Sequence, residues 1–212
     1  MASQDVIADG VIKGDVTAVE DGVRNALEEG AAPGDILLKG LIAGMTVVGE
    51  RFGAGDMFVP ELMLAARAMH QGLAILEPLL AESDLKSNGK VVIGTVQGDI
   101  HDIGKRIVGF LLEGYGFEVI DIGVDVTPEA FAKAVEEHRP HVLGMSALLT
   151  TTMPFMQSTL NCLKEKGLRD QVKVVVGGAS VTEDFATSIG SDGYARDASS
   201  AVKWVQNQVS SL

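Results

Sequence analysis

The chain has one cysteine, Cys162, in 212 residues, so no internal disulfide can staple it, and that usage fits a reducing compartment. The surrounding run, Phe155–Lys166, has a helical pattern, and free cysteines are habitually buried; Cys162 therefore reads as a packing thiol and not as a nucleophile. Basic residues are also scarce, with 17 Lys and Arg against 29 Asp and Glu and a net charge of −12. That balance argues against nucleic-acid binding, which needs phosphate neutralisation, and against anionic membranes. No apolar run approaches the roughly 18 residues of a membrane-spanning helix. Met1-Ala2-Ser3-Gln4-Asp5 lacks the charged-then-apolar layout of a secretory signal, so the expected location is cytoplasmic. Zinc-like groupings are missing too: His70, His138 and His141 form no pair with acids or cysteine at ligand spacing and read as surface or packing residues. The pairs Glu28-Glu29 and Glu136-Glu137 read as solvated helix ends.

What is present divides into two halves of different period. Up to about Ser87 the apolar residues step at three or four, as in Val16, Val19, Val23 and Leu27, then Leu37, Leu41, Met45 and Val48, then Leu62, Ala66, Met69, Leu73, Leu76 and Leu80. This spacing lines one face of a helix, and Pro60 falls where a first helical turn tolerates it. Gly30-Ala31-Ala32-Pro33-Gly34 and Gly53-Ala54-Gly55-Asp56 interrupt the runs. A bundle of about four helices over residues 1–88 is expected. After the polar stretch Ser83–Lys90 the pattern changes. Strands are expected at Val91–Val96, Glu118–Ile122, His141–Ser146, Val172–Val176 and Gly193–Ala195, with helices at Lys105–Tyr115, Pro128–Glu137, Pro154–Lys166, Thr182–Ser188 and Ser199–Val209. Buried strands alternating with helices predict a doubly wound parallel sheet, flavodoxin- or Rossmann-like, over residues 89–212. The fold class is α/β, with the helical bundle leading.

Gly98-Asp99-Ile100-His101-Asp102-Ile103-Gly104 lies between the first strand and the first helix of that second half. In an open α/β sheet ligands sit at strand carboxyl ends, and an imidazole flanked by a carboxylate is how proteins orient a metal ligand. The same residues can also serve as a polar loop capping a helix. They are not a dinucleotide loop, because the G-x-G-x-x-G spacing is absent and acids stand where a pyrophosphate would approach. Two later blocks bear on the choice. Forty-one residues (105 to 145) separate Gly104 from Ser146-Ala147-Leu148, and twenty-eight (149 to 176) separate Leu148 from Gly177-Gly178.

Asp-x-His-x-x-Gly, Ser-x-Leu and Gly-Gly at these intervals resemble the cobalamin-binding domain family. The run from Gly44 to Leu62 looks like the helical cap that precedes this domain in methionine synthase. Together the two modules resemble the small corrinoid proteins of methylamine, methanol and methoxy-aromatic methyltransferase systems, over nearly the whole chain. The resemblance implies that His101 is the axial ligand to cobalt in place of the cofactor's displaced dimethylbenzimidazole base. Asp99 would accept the other imidazole N–H, and Thr152 stands where methionine synthase has a relay serine. Ser146, Leu148, Thr150 and Ala198 would contact the displaced nucleotide tail. Gly177 and Gly178 would let the backbone approach it closely. Phe52, Val59 and Leu62 match residues covering the upper corrin face, although helix-spaced apolar residues are commonly core. Gly53 and Gly55 would be pivots for that lid.

The implied function is a methyl carrier. Cobalamin or a related corrinoid, with cobalt in Co(I) and methylcobalamin forms, would take a methyl group from a substrate-specific methyltransferase acting on a methylamine, methanol, betaine or methoxylated aromatic donor. A second methyltransferase would pass it to tetrahydrofolate or a thiol, and a reductive activase is a further partner; no nucleic-acid or membrane partner is expected. The chain has no room for a substrate barrel of about 250 residues, so turnover is expected to need partners. Two other readings stand beside this one: a cobalamin-dependent sensor or regulator, and a detached subunit of a radical mutase.

Overall fold

The structure is a computed structural model that describes residues 3–80 and 87–209. It divides into two compact units, Met1–Ser87 with Phe110–Gly116 and Asn88–Gly109 with Phe117–Leu212. The turn-forming stretch expected at Ser83–Lys90 lies outside the described residues as far as Lys86.

The first unit is helical. Helices α1 (Ser3–Lys13) and α2 (Val16–Glu28) are followed by one long helical run, in which α3 (Pro33–Ile36) passes through a π-helical turn at Leu37–Ile42 into α4 (Ala43–Ala54); α5 (Val59–Leu80) completes the set. Each start and stop has a local cause. Asp15 caps α2 by accepting from the Ala18 N–H, Pro33 occupies the first turn of α3, and Gly55 ends α4 at φ 82°, a left-handed conformation that glycine adopts without penalty. Gly53 lies inside α4, so of the two expected pivots only Gly55 sits in a break. The expected apolar stripes are the core, with Val19, Val23, Leu41, Val48, Leu62 and Leu76 fully buried. Helix α1 and the π turn were not foreseen. Both depend on close packing, because a Cβ on Gly40 would meet Ile7 at 3.0 Å and one on Gly44 would lie 2.7 Å from the Ala8 carbonyl.

The second unit is a five-stranded, all-parallel sheet in the order β2-β1-β3-β4-β5. Its elements are β1 (Lys90–Thr95), α6 (Ile103–Gly114), β2 (Glu118–Asp121), α7 (Pro128–His138), β3 (Val142–Ser146), α8 (Pro154–Glu165), β4 (Lys173–Gly177), α9 (Glu183–Ile189), β5 (Gly193–Ala195) and α10 (Ala198–Val209). Every expected strand is present within a residue or two. On one face Val92, Leu143, Met145, Val174 and Val176 pack with residues of α7, α8 and α9, including Phe131, Leu160 and Ile189. The alternate strand residues turn to the other face, as the two-residue period requires; there α6 crosses Ile93, which a Cβ on Gly109 would meet at 3.1 Å, and α10 lays Trp204 on Gly193. The strand order reverses between β1 and β3. Ligands of doubly wound folds bind at such a switch point, beyond the carboxyl ends of the strands.

Candidate functional site

Asp99 and His101 sit in the loop between β1 and α6, at the switch point. Asp99 has no exposed surface, yet every part of its carboxylate has a partner. Oδ1 accepts from the His101 backbone N–H at 3.1 Å and lies 2.7 Å from His101 Nδ1. Oδ2 accepts from the Leu148 and Leu149 N–H groups at 2.8 and 3.2 Å, and the Thr152 hydroxyl, 2.9 Å from Oδ2 and 2.8 Å from the Leu149 carbonyl, shares its one proton between them. Burial pushes this carboxyl up, but the hydrogen bonds from the His101 side chain and from the N–H groups of His101, Leu148 and Leu149 outweigh it and hold it well below the usual carboxylate range. An ionised carboxylate only accepts, so the proton of the pair resides on Nδ1, and in the neutral ring the lone pair falls to Nε2. The His101 side chain is 48% exposed. The imidazole is thus fixed at one nitrogen and open at the other, the condition for a metal ligand.

The loop is held from beneath as well. Gly98, at φ 78°, donates its N–H to Asp125 Oδ1 at 2.7 Å, and the Asp125 N–H donates to the Asp99 carbonyl at 2.9 Å. The Thr95 hydroxyl donates to the His101 carbonyl at 3.0 Å. Lys105, buried in the first turns of α6, pairs with Asp121 and donates to the Gly123 carbonyl at 2.9 Å, which fastens the loop carrying Asp125. Asp102 accepts through its carbonyl from the Arg106 N–H, a backbone bond that opens α6. Around the imidazole the surface is apolar: Ile100 and Ile103 are 73% and 69% exposed, and Val124, Leu148 and Leu149 are also exposed. Side chains of this kind beside a polar site mark a surface that something covers.

Next to this loop is a cavity of about 280 Å³, lined by Gly104, Lys105 and Val108 of α6, by the ends of β3, β4 and β5, and by Ala198 and Ala201 of α10. The register shows how it arises. Ile93, Gly144, Val175 and Gly193 form one row across β1, β3, β4 and β5, and Thr95, Ser146, Gly177 and Ala195 the next row on the same face. Glycine at 144 and 177 leaves that face without side chains where α6 and α10 part. At Gly177 a Cβ would lie 2.8 Å from the Ala195 carbonyl, and at Gly178, φ 127°, it would run into the Ala147 carbonyl. The glycine pair is thus a backbone requirement of the wall between the two loops.

The structure brings most of the expected residues together. Gly98, Asp99, Ile100, His101, Leu148 and Thr152 form the β1–α6 loop and its hydrogen-bond net, while Gly104, Ser146, Gly177, Gly178 and Ala198 line the cavity. Leu148 contributes its N–H to Asp99 and not a cavity wall, and exposed Thr150 is outside that lining. In the helical unit Phe52 and Val59 are half-buried, whereas Leu62 has no surface to offer a ligand. Sequence reasoning missed Lys105, Asp125, Val108, Gly144 and Ala201. The only signal pointing to them is their position beside strand carboxyl ends.

A parallel sheet of this order, with an oriented imidazole at its switch point and a glycine-walled cavity beside it, defines an α/β cofactor-binding domain. Comparison with known proteins gives the kind. Residues 89–203, more than half of the chain, match the B12 binding domain, and residues 4–77 match a second B12 binding domain. A corrinoid protein of Desulfitobacterium hafniense is 43% identical over 206 residues, covering 96% of this chain and 95% of that protein. The trimethylamine corrinoid protein of Methanosarcina barkeri is 46% identical over 189 residues, 88% of this chain and 87% of its own length. In the crystal structure of the methanol:cobalamin methyltransferase complex of Methanosarcina barkeri, one chain superposes with a TM-score of 0.90 at 31% identity, covering 100% of this chain and 84% of that one. The chain belongs to the B12 binding domain family, and its cofactor is a corrinoid.

The residues present fit that group. The donor set offers one imidazole nitrogen with its tautomer fixed, an apolar apron for a flat macrocycle, and a cradle that a single Cβ would fill.

Proposed function

We propose that this protein is a methyl carrier, holding a corrinoid through His101 and presenting it to two methyltransferases. The observation that carries the reading is the His101–Asp99 pair, fixed at Nδ1 and open at Nε2, beside the glycine-walled cavity. The corrinoid, when bound, supplies a cobalt centre able to accept and release a methyl group. The chain's own residues do the rest. His101 Nε2 is the metal ligand, and the Nδ1 proton shared with Asp99 Oδ1 adjusts how strongly that nitrogen donates. Leu148, Leu149 and Thr152 keep Asp99 ionised and in place. Ser146, Gly177, Gly178 and Ala198 receive the displaced nucleotide tail, with Thr150 a further contact.

The helical unit supplies apolar cover that excludes water, for which Phe52 and Val59 are available as they stand and Leu62 only after repacking. Relatives that carry trimethylamine and methanol systems in their names support a methylamine or methanol class of donor for the first partner. The second methyltransferase, using tetrahydrofolate or a thiol as acceptor, and a reductive activase complete the cycle in the cytoplasm.

Reconstitution with hydroxocobalamin tests the ligand. After reduction to Co(II), electron spin resonance of the wild type is expected to show hyperfine coupling to one axial imidazole nitrogen, with the cofactor's own base displaced. His101→Ala is expected to lose that coupling while still taking up corrinoid. Identical spectra for the two proteins would remove the assignment.

A further inference from the structure

The cavity between α6 and α10 is unusual in how little polar chemistry it offers. Its walls are Val108, Val175 and Ala201 over the glycines of β3 and β4. Of its charged side chains, Lys105 is committed to Asp121 and the Gly123 carbonyl, and Asp197 accepts from the Ser200 N–H at 2.8 Å as the cap of α10. Arg196 is 82% exposed. Two carbonyls of the wall are engaged as well: Ser146 accepts from the Val96 N–H, and Gly177 from the Ala147 N–H. Among the described residues the Ser146 hydroxyl is the cavity's one uncommitted neutral side-chain hydrogen-bonding group, Arg196 being turned mostly to solvent beside Asp197.

Resting on the reading that this cavity receives the nucleotide tail, we propose that it selects the tail's lower base by chemical class. It takes bases of benzimidazole or phenol type, which are flat and nearly free of polar edges, and disfavours purines. Adenine carries an exocyclic amine and ring nitrogens along both edges, and one hydroxyl cannot satisfy them. Each remaining polar atom would leave water without a partner. Adenine and dimethylbenzimidazole are of similar size, so the discrimination is that of an apolar pocket, about 10- to 100-fold.

The test is equilibrium binding of apoprotein to three cobamides that differ only in the lower base, dimethylbenzimidazole, p-cresol or adenine, followed by the absorbance change as the His101 imidazole takes the axial position. The cobamides differ in how firmly the base holds cobalt in free solution, so each apparent dissociation constant is multiplied by that cobamide's own base-off fraction. The corrected constant for the adenine form is expected to be at least tenfold weaker than either of the others. Val108→Thr, which keeps the shape and adds a hydroxyl to the wall, is expected to narrow the gap between the adenine and p-cresol forms. Equal corrected constants for all three, or a tighter adenine form, would overturn the selection while leaving the corrinoid reading intact. Failure of every cobamide to bind base-off would instead overturn the underlying reading.

Discussion

The loop between β1 and α6 and the cavity beside it are built by opposite means. Around Asp99 the fold adds groups until each polar atom has a partner: three N–H groups, a hydroxyl and an imidazole converge on one buried carboxylate. Beside it the fold removes groups, and Gly144, Gly177, Gly178, Ala198 and Ala201 leave space where side chains would ordinarily meet. The first region is vulnerable to losing an atom, the second to gaining one. Substitutions of a single group can therefore tell the two designs apart.

The largest effect is expected where an atom is added. Gly178→Ala places a Cβ against the Ala147 backbone carbonyl at a φ of 127°, so strain and overpacking combine to about 3–5 kcal/mol. Chemical denaturation of the apoprotein should show this as a large fall in midpoint. Gly104→Ala is the matched control in the same lining. Nothing lies within 4 Å of its Cβ position, and stability is expected to hold or to rise by up to about 1 kcal/mol. Equal losses at both positions would mean that the wall is not set by backbone approach.

Removing charge from the net comes next. Asp99→Asn turns one acceptor edge into a donor facing donors, at a cost of about 2–3 kcal/mol. The imidazole then loses the partner that fixes its tautomer, which nitrogen-15 resonance of His101 would reveal as a mixture. The pH dependence has a definite sign. Because the folded carboxyl is depressed below its ordinary value, its stabilisation is complete above that value and fades as pH falls toward the folded one. The wild type should lose the advantage over Asp99→Asn in strong acid. A smaller loss, about 1 kcal/mol, is expected for Thr152→Val, which deletes a single hydroxyl donor to Oδ2. Thr152→Ser keeps that oxygen and should restore most of the stability.

The two regions also differ in how far the sequence reveals them. The loop after β1 was legible as a cluster because its polar residues are consecutive at a strand end, and Ser146 and Gly177 were placed beside it by interval. Alternation of period placed all five strands of the sheet. The cavity was legible only at its rim. Its lateral walls, Val108 and Ala201, stand on helices far apart in sequence and look like ordinary core residues, and Gly144 reads as a weak point in a strand until the register sets it beside Val175. Lys105 and Asp125 escaped for a similar reason, since a buried ammonium and a loop aspartate at φ 53° are meaningful only through partners that folding supplies. The helical unit hid α1 because its buried residues, Ile7 and Val11, are too few to set a period.

A histidine outside both regions sharpens the contrast from the side of least expected effect. In the first unit His70 Nε2 lies 2.7 Å from Glu113 Oε2, and its ring meets Phe110 edge-on at 5.8 Å. The hydrogen bond to Glu113 raises the pKa of His70 above 6.5, against burial, with the charges of Glu113 and Glu77 adding to the rise. A raised folded pKa means that the pair stabilises fully below 6.5 and that this gain is lost as pH climbs through the higher folded value. The side chain is 40% exposed, so solvent screening keeps the contribution under about 1 kcal/mol. Thermal melts between pH 6 and pH 8.5 should therefore show a small decline for the wild type that His70→Gln flattens. The carboxylate of Asp99, satisfied by several donors at once, should give no slope in that range. A decline of equal size in the His70→Gln protein would assign the pH dependence to another group.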